Sequence, residues 1–216
     1  MKKVMLAVAL SALTLPAFAD TTVNGKLSTL GLGVEAAFPV TQSVDARIGL
    51  NTYKYNFNKT STSSNGISTN YSGDLNLQSL EALADWHPWE SGFRVSGGLL
   101  YNNNKFTMTA QPSGGNVVVG GVSYVVQAGT AVNATVDFSK VVPYLGIGWG
   151  RTPKNTGLSF TSDLGVVFQG SPKGSVSTNN TNVTAAAIVQ ANADLNSSLK
   201  SFNVYPVLSF GIGYSW

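Results

Sequence analysis

The sequence predicts an all-β chain, folded as an antiparallel up-and-down barrel of eight strands with one short helix in a connection. Three observations predict it. Segment after segment alternates apolar with polar residues over seven positions or more, the period of a strand with two unlike faces. Short turns and long Ser/Thr/Asn-rich stretches join these segments. The polar parity of the alternation is rich in glycine. At 216 residues the chain suits one domain.

The N-terminal residues stand apart from this pattern. Met1-Lys2-Lys3 is charged, Val4–Leu15 is apolar, and Pro16-Ala17-Phe18-Ala19 ends in an A-x-A site. That order is a secretory leader cleaved after Ala19. The expected organisation is residues 1–19 as signal peptide and 20–216 as the barrel. Without Lys2 and Lys3, eleven basic residues face ten acidic ones, a net charge near +1. No basic run remains to suggest nucleic acid. The absence of cysteine excludes disulfides and thiolate metal sites. After the leader, no stretch approaches the ~18 apolar residues of a membrane helix, so the chain is soluble or crosses a membrane as a barrel.

Taken in order, Asn24-Gly25 is a hairpin signal, though too near the mature start to follow a spanning strand of ~9–11 residues. Leu30, Leu32, Val34, Ala36 and Phe38 share one parity and lead to a turn at 39–43. Val44, Ala46, Ile48 and Leu50 alternate with Asp45, Arg47 and Gly49, and a polar loop is expected over 58–70. Leu80, Ala82, Ala84 and Trp86 follow, while Leu75 and Leu77 have the opposite parity. That switch predicts a bulge near Ser79. After the turn at His87-Pro88, Phe93 to Tyr101 alternates again. Residues 107–135 form a long connection with a hairpin around Gly120-Gly121. Val141 to Trp149 and Leu158 to Phe168 are strands around a turn at 151–156, and Ala185–Leu199 is the helical patch. The chain closes on Phe202 to Trp216, apolar at every second residue. An eighth strand is expected at 174–179. Pro143 and Pro206 each remove a ladder donor, so both are expected near a rim or at a bulge.

Two features decide which face is oily. Glycines such as Gly33, Gly49, Gly146, Gly148, Gly211 and Gly213 fill the polar parity. They suit a cramped lumen and would weaken strands if they formed a solvent face. The aromatics Phe38, Trp86, Phe93, Trp149, Tyr214 and Trp216 lie on the apolar parity near the short-turn end, as a membrane-interface girdle requires. The apolar parity is therefore expected to face lipid. With its leader, its strand pattern and its aromatic C-terminal strand, the chain resembles small Gram-negative outer-membrane β-barrel proteins of the OmpA- or OmpX-like class. That resemblance implies outer-membrane localisation, lipid and lipopolysaccharide as surroundings, and recognition of the last strand by the barrel-insertion machinery. It implies no single activity.

The opposite parity places Glu35, Asp45, Arg47, Glu81, Asp85, Arg94 and Asp163 inside. Buried charges must be paired or hydrated, so a lumen charge network is expected, acting as a plug or, less simply, as a narrow passive pore. The single histidine, His87, sits beside Asp85 and Ser91, the residue types of a hydrolytic triad. A turn histidine is ordinarily solvated, no G-x-S-x-G is present, and no catalysis is expected. A lipid-modifying enzyme and a soluble lipocalin-like binding barrel are the competing readings. No cofactor and no metal are expected, with one His and no Cys.

Overall fold

The computed structural model describes residues 21–215 apart from 65, 128 and 152–155. The leader, most of the 151–156 turn and Trp216 lie outside them. The strands are β1 (Thr22–Ser28), β2 (Gly31–Pro39), β3 (Val44–Thr62), β4 (Ser68–Trp86), β5 (Phe93–Asn102), β6 (Lys105–Pro112), β7 (Asn116–Val119), β8 (Val122–Val125), β9 (Val132–Asp137), β10 (Val141–Trp149), β11 (Gly157–Val167), β12 (Lys173–Thr178) and β13 (Tyr205–Ser215). The helix α1 (Ala185–Leu199) precedes β13.

Every ladder is antiparallel. From β1 the pairings run through β2, β3, β4, β5, β10, β11 and β13, and β13 pairs with β1. Eleven strands share this sheet and β7–β8 form a separate hairpin, so the expected count of eight is corrected. The excess arises because long strands are interrupted. β5 pairs with residues 79–86 of β4, and β6 with residues 69–76 of the same strand. They therefore lie end to end, broken at Asn103-Asn104. The β6–β9 and β9–β12 ladders stand in the same way above the β5–β10 and β10–β11 ladders. The sheet thus has a lower tier of eight strands and an upper tier of five.

The short turns after β2, β4 and β10 lie at one end, together with Thr22 and Ser215, and the long connections lie at the other, beside the two-residue β1–β2 turn. This is the asymmetry read from the sequence. Four local readings change. Asn24-Gly25 is not a turn; the pair lies inside β1, opposite Glu35 and Val34, and the hairpin turns at Thr29-Leu30. β1 is the eighth lower strand, while 173–178 forms an upper-tier strand. β4 has no bulge at Ser79 and keeps one register with β3 from Ser68 to Trp86. Leu75 and Leu77 change parity because the inward face itself turns apolar above Ser79. The loop expected over 58–70 is mostly strand, held by Thr60–Asn70 and Thr62–Ser68 side-chain bonds of 2.7 and 3.0 Å. Pro143 and Pro206 sit at the upper starts of β10 and β13, where a missing donor costs little.

The expected hairpin and helix are both present. Gly120 and Gly121 take φ of 57° and 79°, the left-handed pair of a two-residue hairpin turn. Thr184 caps α1, its hydroxyl accepting from the Ala187 N–H. Helix α1 covers the free edge of β12. Asn192 Oδ1 accepts from Val176 N at 2.6 Å, and Asn196 exchanges bonds with Gly174 N and O at 3.0 and 2.8 Å. An open sheet edge is a template for further pairing, and these two amides, one helical turn apart, satisfy it. N192A/N196A is expected to speed amide exchange of Gly174 and Val176 about fivefold, each lost bond being worth ~1 kcal/mol. Exchange in the β1–β2 ladder should not change, and uniform acceleration would disprove the edge role.

Candidate functional site: the buried charge network

Burial is inverted relative to a soluble protein. Glu35, Asp45, Arg47, Glu81, Asp85, Arg94 and Asp163 are each at most 6% exposed. On the opposite parity Leu27, Leu50, Leu145, Leu158, Phe160 and Ile212 are exposed. Large apolar residues are ordinarily inside and unpaired charges outside, so this distribution is the central fact of the molecule.

The lumen is layered. At the turn end the Thr22 and Ser215 hydroxyls meet at 2.5 Å, joining the described ends of the chain. Above them Arg47, from β3, spans the interior. Its Nε lies 2.5 Å from Asp85 Oδ2 and its Nη1 3.2 Å from Glu35 Oε2. Its Nη2 lies 3.3 Å from Asp163 Oδ1 and also donates to the Ser96 hydroxyl at 3.1 Å. Arg94 binds Asp163 Oδ1 through Nη2 at 2.8 Å, and its Nη1 donates to the Gly150 carbonyl at 3.0 Å. The Ser96 and Ser209 hydroxyls complete Asp85 and Asp163 at 2.6 and 2.9 Å. Next, Lys26 bridges Glu35, at 3.2 Å, and Glu81. Asn51 Nδ2 donates to Glu81 Oε2 at 3.1 Å. The top is apolar: Leu30, Leu83, Leu100, Val142, Tyr144, Val167 and Val207 form one buried cluster.

Six of the seven predicted charges join one web, and Asp45 lies at its turn-end margin with His87. The sequence reading missed Lys26, Ser96, Asn51 and Ser209. Lys26 was hidden because its strand was read as a turn. The inward parity of β5 and β13 could have supplied Ser96 and Ser209. The glycines make room for the network. A Cβ on Gly49 would meet Glu81 Oε1 at 2.6 Å, and one on Gly213 would meet Asn24 Oδ1. Cβ atoms on Gly146 and Gly165 would both strike the Tyr144 hydroxyl. Two interior cavities among these side chains measure about 10 Å³ each, at the lower limit for one water. A depression of about 890 Å³ lies on the outward face by Leu27, Leu32, Phe160 and Phe210, where Gly25 carries no side chain.

His87 is not solvated, as a turn histidine was expected to be; it is 1% exposed. Its Nδ1 lies 3.1 Å from the Ser91 and Phe93 carbonyls and so carries a proton, while Nε2 lies 3.3 Å from Asp45 Oδ2. Its backbone N–H donates to Ser43 O at 2.8 Å. Arg151 donates to the Glu90 and Gln42 carbonyls. His87 and Arg151 therefore tie the three short turns together. The Ser91 hydroxyl accepts from Phe93 N and Asp85 belongs to Arg47, so His87, Asp85 and Ser91 form no triad.

Of the predicted interface aromatics, Trp86, Trp149 and Tyr214 are exposed outward, and Phe38 and Phe93 are half-buried. Phe93 packs on Trp89, with ring centroids 5.2 Å apart. Trp89, the most exposed at 71%, was missed because a turn has no parity to read.

No family model matches the chain, and no curated protein matches it. Among solved structures, Acinetobacter baumannii CarO2 aligns with a TM-score of 0.59 at 19% identity, over 91% of this chain and 98% of its own. Acinetobacter baumannii CarO aligns with 0.56 at 17% identity, over 92% and 98%. At such identity the likeness shows a common fold, mostly antiparallel β with a single helix.

Proposed function

We propose that the eight lower strands form a closed barrel across the bacterial outer membrane, sealed inside and working through its outer connections. The carrying observation is the inverted burial, with a charged interior enclosed by an exposed apolar wall. Such a wall is stable only against hydrocarbon. From Leu158 to Phe168 the outward apolar residues span ten steps, about 34 Å along the strand and about 25 Å along the axis at the usual tilt, the height of a membrane barrel's apolar band. The exposed tryptophans at the turn end suit the periplasmic interface.

The same interior argues for a plug rather than a passive pore. Arg47 reaches three carboxylates from three strands, the apolar cluster lies above it, and the cavities between them are no larger than about one water each. A structural or surface-display role follows, carried by the upper tier, the β7–β8 hairpin and α1. His87 acts as a tie between turns, which favours a non-catalytic reading. Protein reconstituted in planar bilayers is expected to show a boiling-dependent gel mobility, which marks insertion, and no steady single-channel openings. Steady openings lost on mutating Arg47 and Arg94 would establish the pore and remove the plug. Release of the mature protein by osmotic shock without detergent would instead favour a soluble barrel.

A further inference from the structure

One register row of the upper tier carries an unusual concentration of charge. Lys54 on β3 pairs with Asn76 on β4, Asn76 with Lys105 on β6, Lys105 with Asp137 on β9, and Asp137 with Lys173 on β12. Facing partners in antiparallel ladders share a face, so the three lysines and Asp137 stand side by side across five strands. Their face is the outward one, because Lys54 has the parity of Ile48 and Leu50. All three lysines are exposed. Lys140, also exposed, lies just below them, its Nζ donating to Asn103 Oδ1 at 2.6 Å.

The rows above are different. The next reads Asn56, Asp74, Thr107, Thr135, Ser175, and the one beyond it Asn58, Ser72, Thr109, Asn133, Ser177. The cations of this outer wall are thus gathered in one register row. The row crosses tilted strands, so it shifts about 3 Å along the axis per strand, and its Lys54 end starts just past the apolar band. Lys54 lies four residues beyond Leu50, about 13 Å along the strand and about 10 Å along the axis. Lysines just past the hydrocarbon boundary meet lipid headgroups, where each adds attraction to anionic lipid. The row holds a single carboxylate, Asp137, whose Oδ1 is 3.8 Å from Lys105 Nζ. An exposed pair at that distance is weak, which leaves Lys105 available to a stronger anion.

We propose that Lys54, Lys105 and Lys173, with Lys140 below them, form a belt that binds the phosphate groups of the outer-leaflet glycolipid, lipopolysaccharide. A phosphate oxygen takes a charge-assisted bond from an ammonium, and lysines on alternate strands, about 10 Å apart, can reach more than one phosphate of a lipid. The inference rests on the membrane-spanning reading and adds to it a position, a chemical class and an orientation: the upper tier lies on the lipopolysaccharide side.

The test uses the full mature chain in phosphatidylcholine vesicles containing phosphorylated or enzymatically dephosphorylated lipopolysaccharide, with retained glycolipid measured after detergent extraction at low salt. Wild-type protein is expected to retain the phosphorylated form at least about tenfold better than K54Q/K105Q/K173Q does. D137N should retain more than wild type. K59Q/K200Q, which removes two charges outside the belt, should match wild type. Equal retention by the triple variant, equal retention of the dephosphorylated lipid, or an equal loss in K59Q/K200Q would overturn the proposal. Heat-modifiable mobility separates the two readings. Protein that inserts without a lysine-dependent preference refutes the belt alone, whereas protein that never inserts refutes the membrane barrel.

Discussion

Arg47→Met is expected to destabilise the fold by about 3–5 kcal/mol, the loss seen when one partner of a buried ion pair is removed. The side chain is matched in bulk but leaves Glu35, Asp85 and Asp163 without the cation that reaches all three. Arg94 still holds Asp163, and Lys26 still holds Glu35. Asp85 loses most, keeping the Ser96 hydroxyl and an Arg94 contact of 3.8 Å. The measurement is the urea midpoint of the heat-modifiable band after refolding in detergent. Arg47→Lys should recover part of the loss, since it restores the charge without the planar fork that serves several oxygens at once. A variant as stable as wild type at neutral pH would show that water, not Arg47, balances these carboxylates.

Two adjacent glycines provide the second large effect. Gly98→Ala is expected to cost about 3 kcal/mol or more, at the upper end for overpacking. Its added Cβ would lie 2.2 Å from the Ala82 carbonyl and 2.8 Å from Leu83 Cα. Both are backbone atoms fixed in the β4–β5 ladder, where Gly98 faces Leu83, so no side-chain rotation relieves the contact. Gly97→Ala should be tolerated or slightly stabilising. Its Cβ points outward and comes no nearer than 4.0 Å to the Tyr144 carbonyl, and alanine suits a strand better than glycine. The folded fraction recovered on refolding distinguishes them. Equal yields would mean that the wall there is more compliant than the ladder implies.

The sequence read the interior more accurately than the strand count. Period-two alternation assigns a face to each residue wherever a strand is unbroken, so Glu35, Arg47, Asp85, Arg94 and Asp163 could be placed inward from parity alone. It failed where a local cue competed. Asn24-Gly25 carries a turn signature, yet lies within β1 because ladders on both sides hold it extended. Leu75 and Leu77 read as a slipped register because a single-composition interior was assumed, whereas the interior changes from ionic to apolar along its length. His87 looked solvated because burial of a turn depends on neighbouring turns distant in sequence.

By itself, then, the sequence determined the all-β class, the two unlike faces, the short-turn and long-connection ends, the helix and the inward charges. These follow from periodicity and composition, which are local. The tertiary structure decided which carboxylate meets which guanidinium, how an upper tier of five strands continues a lower tier of eight, what covers the β12 edge, and which lysines share a row. Each of these depends on the register between segments far apart in the chain, and inter-strand register is a property of the assembled sheet.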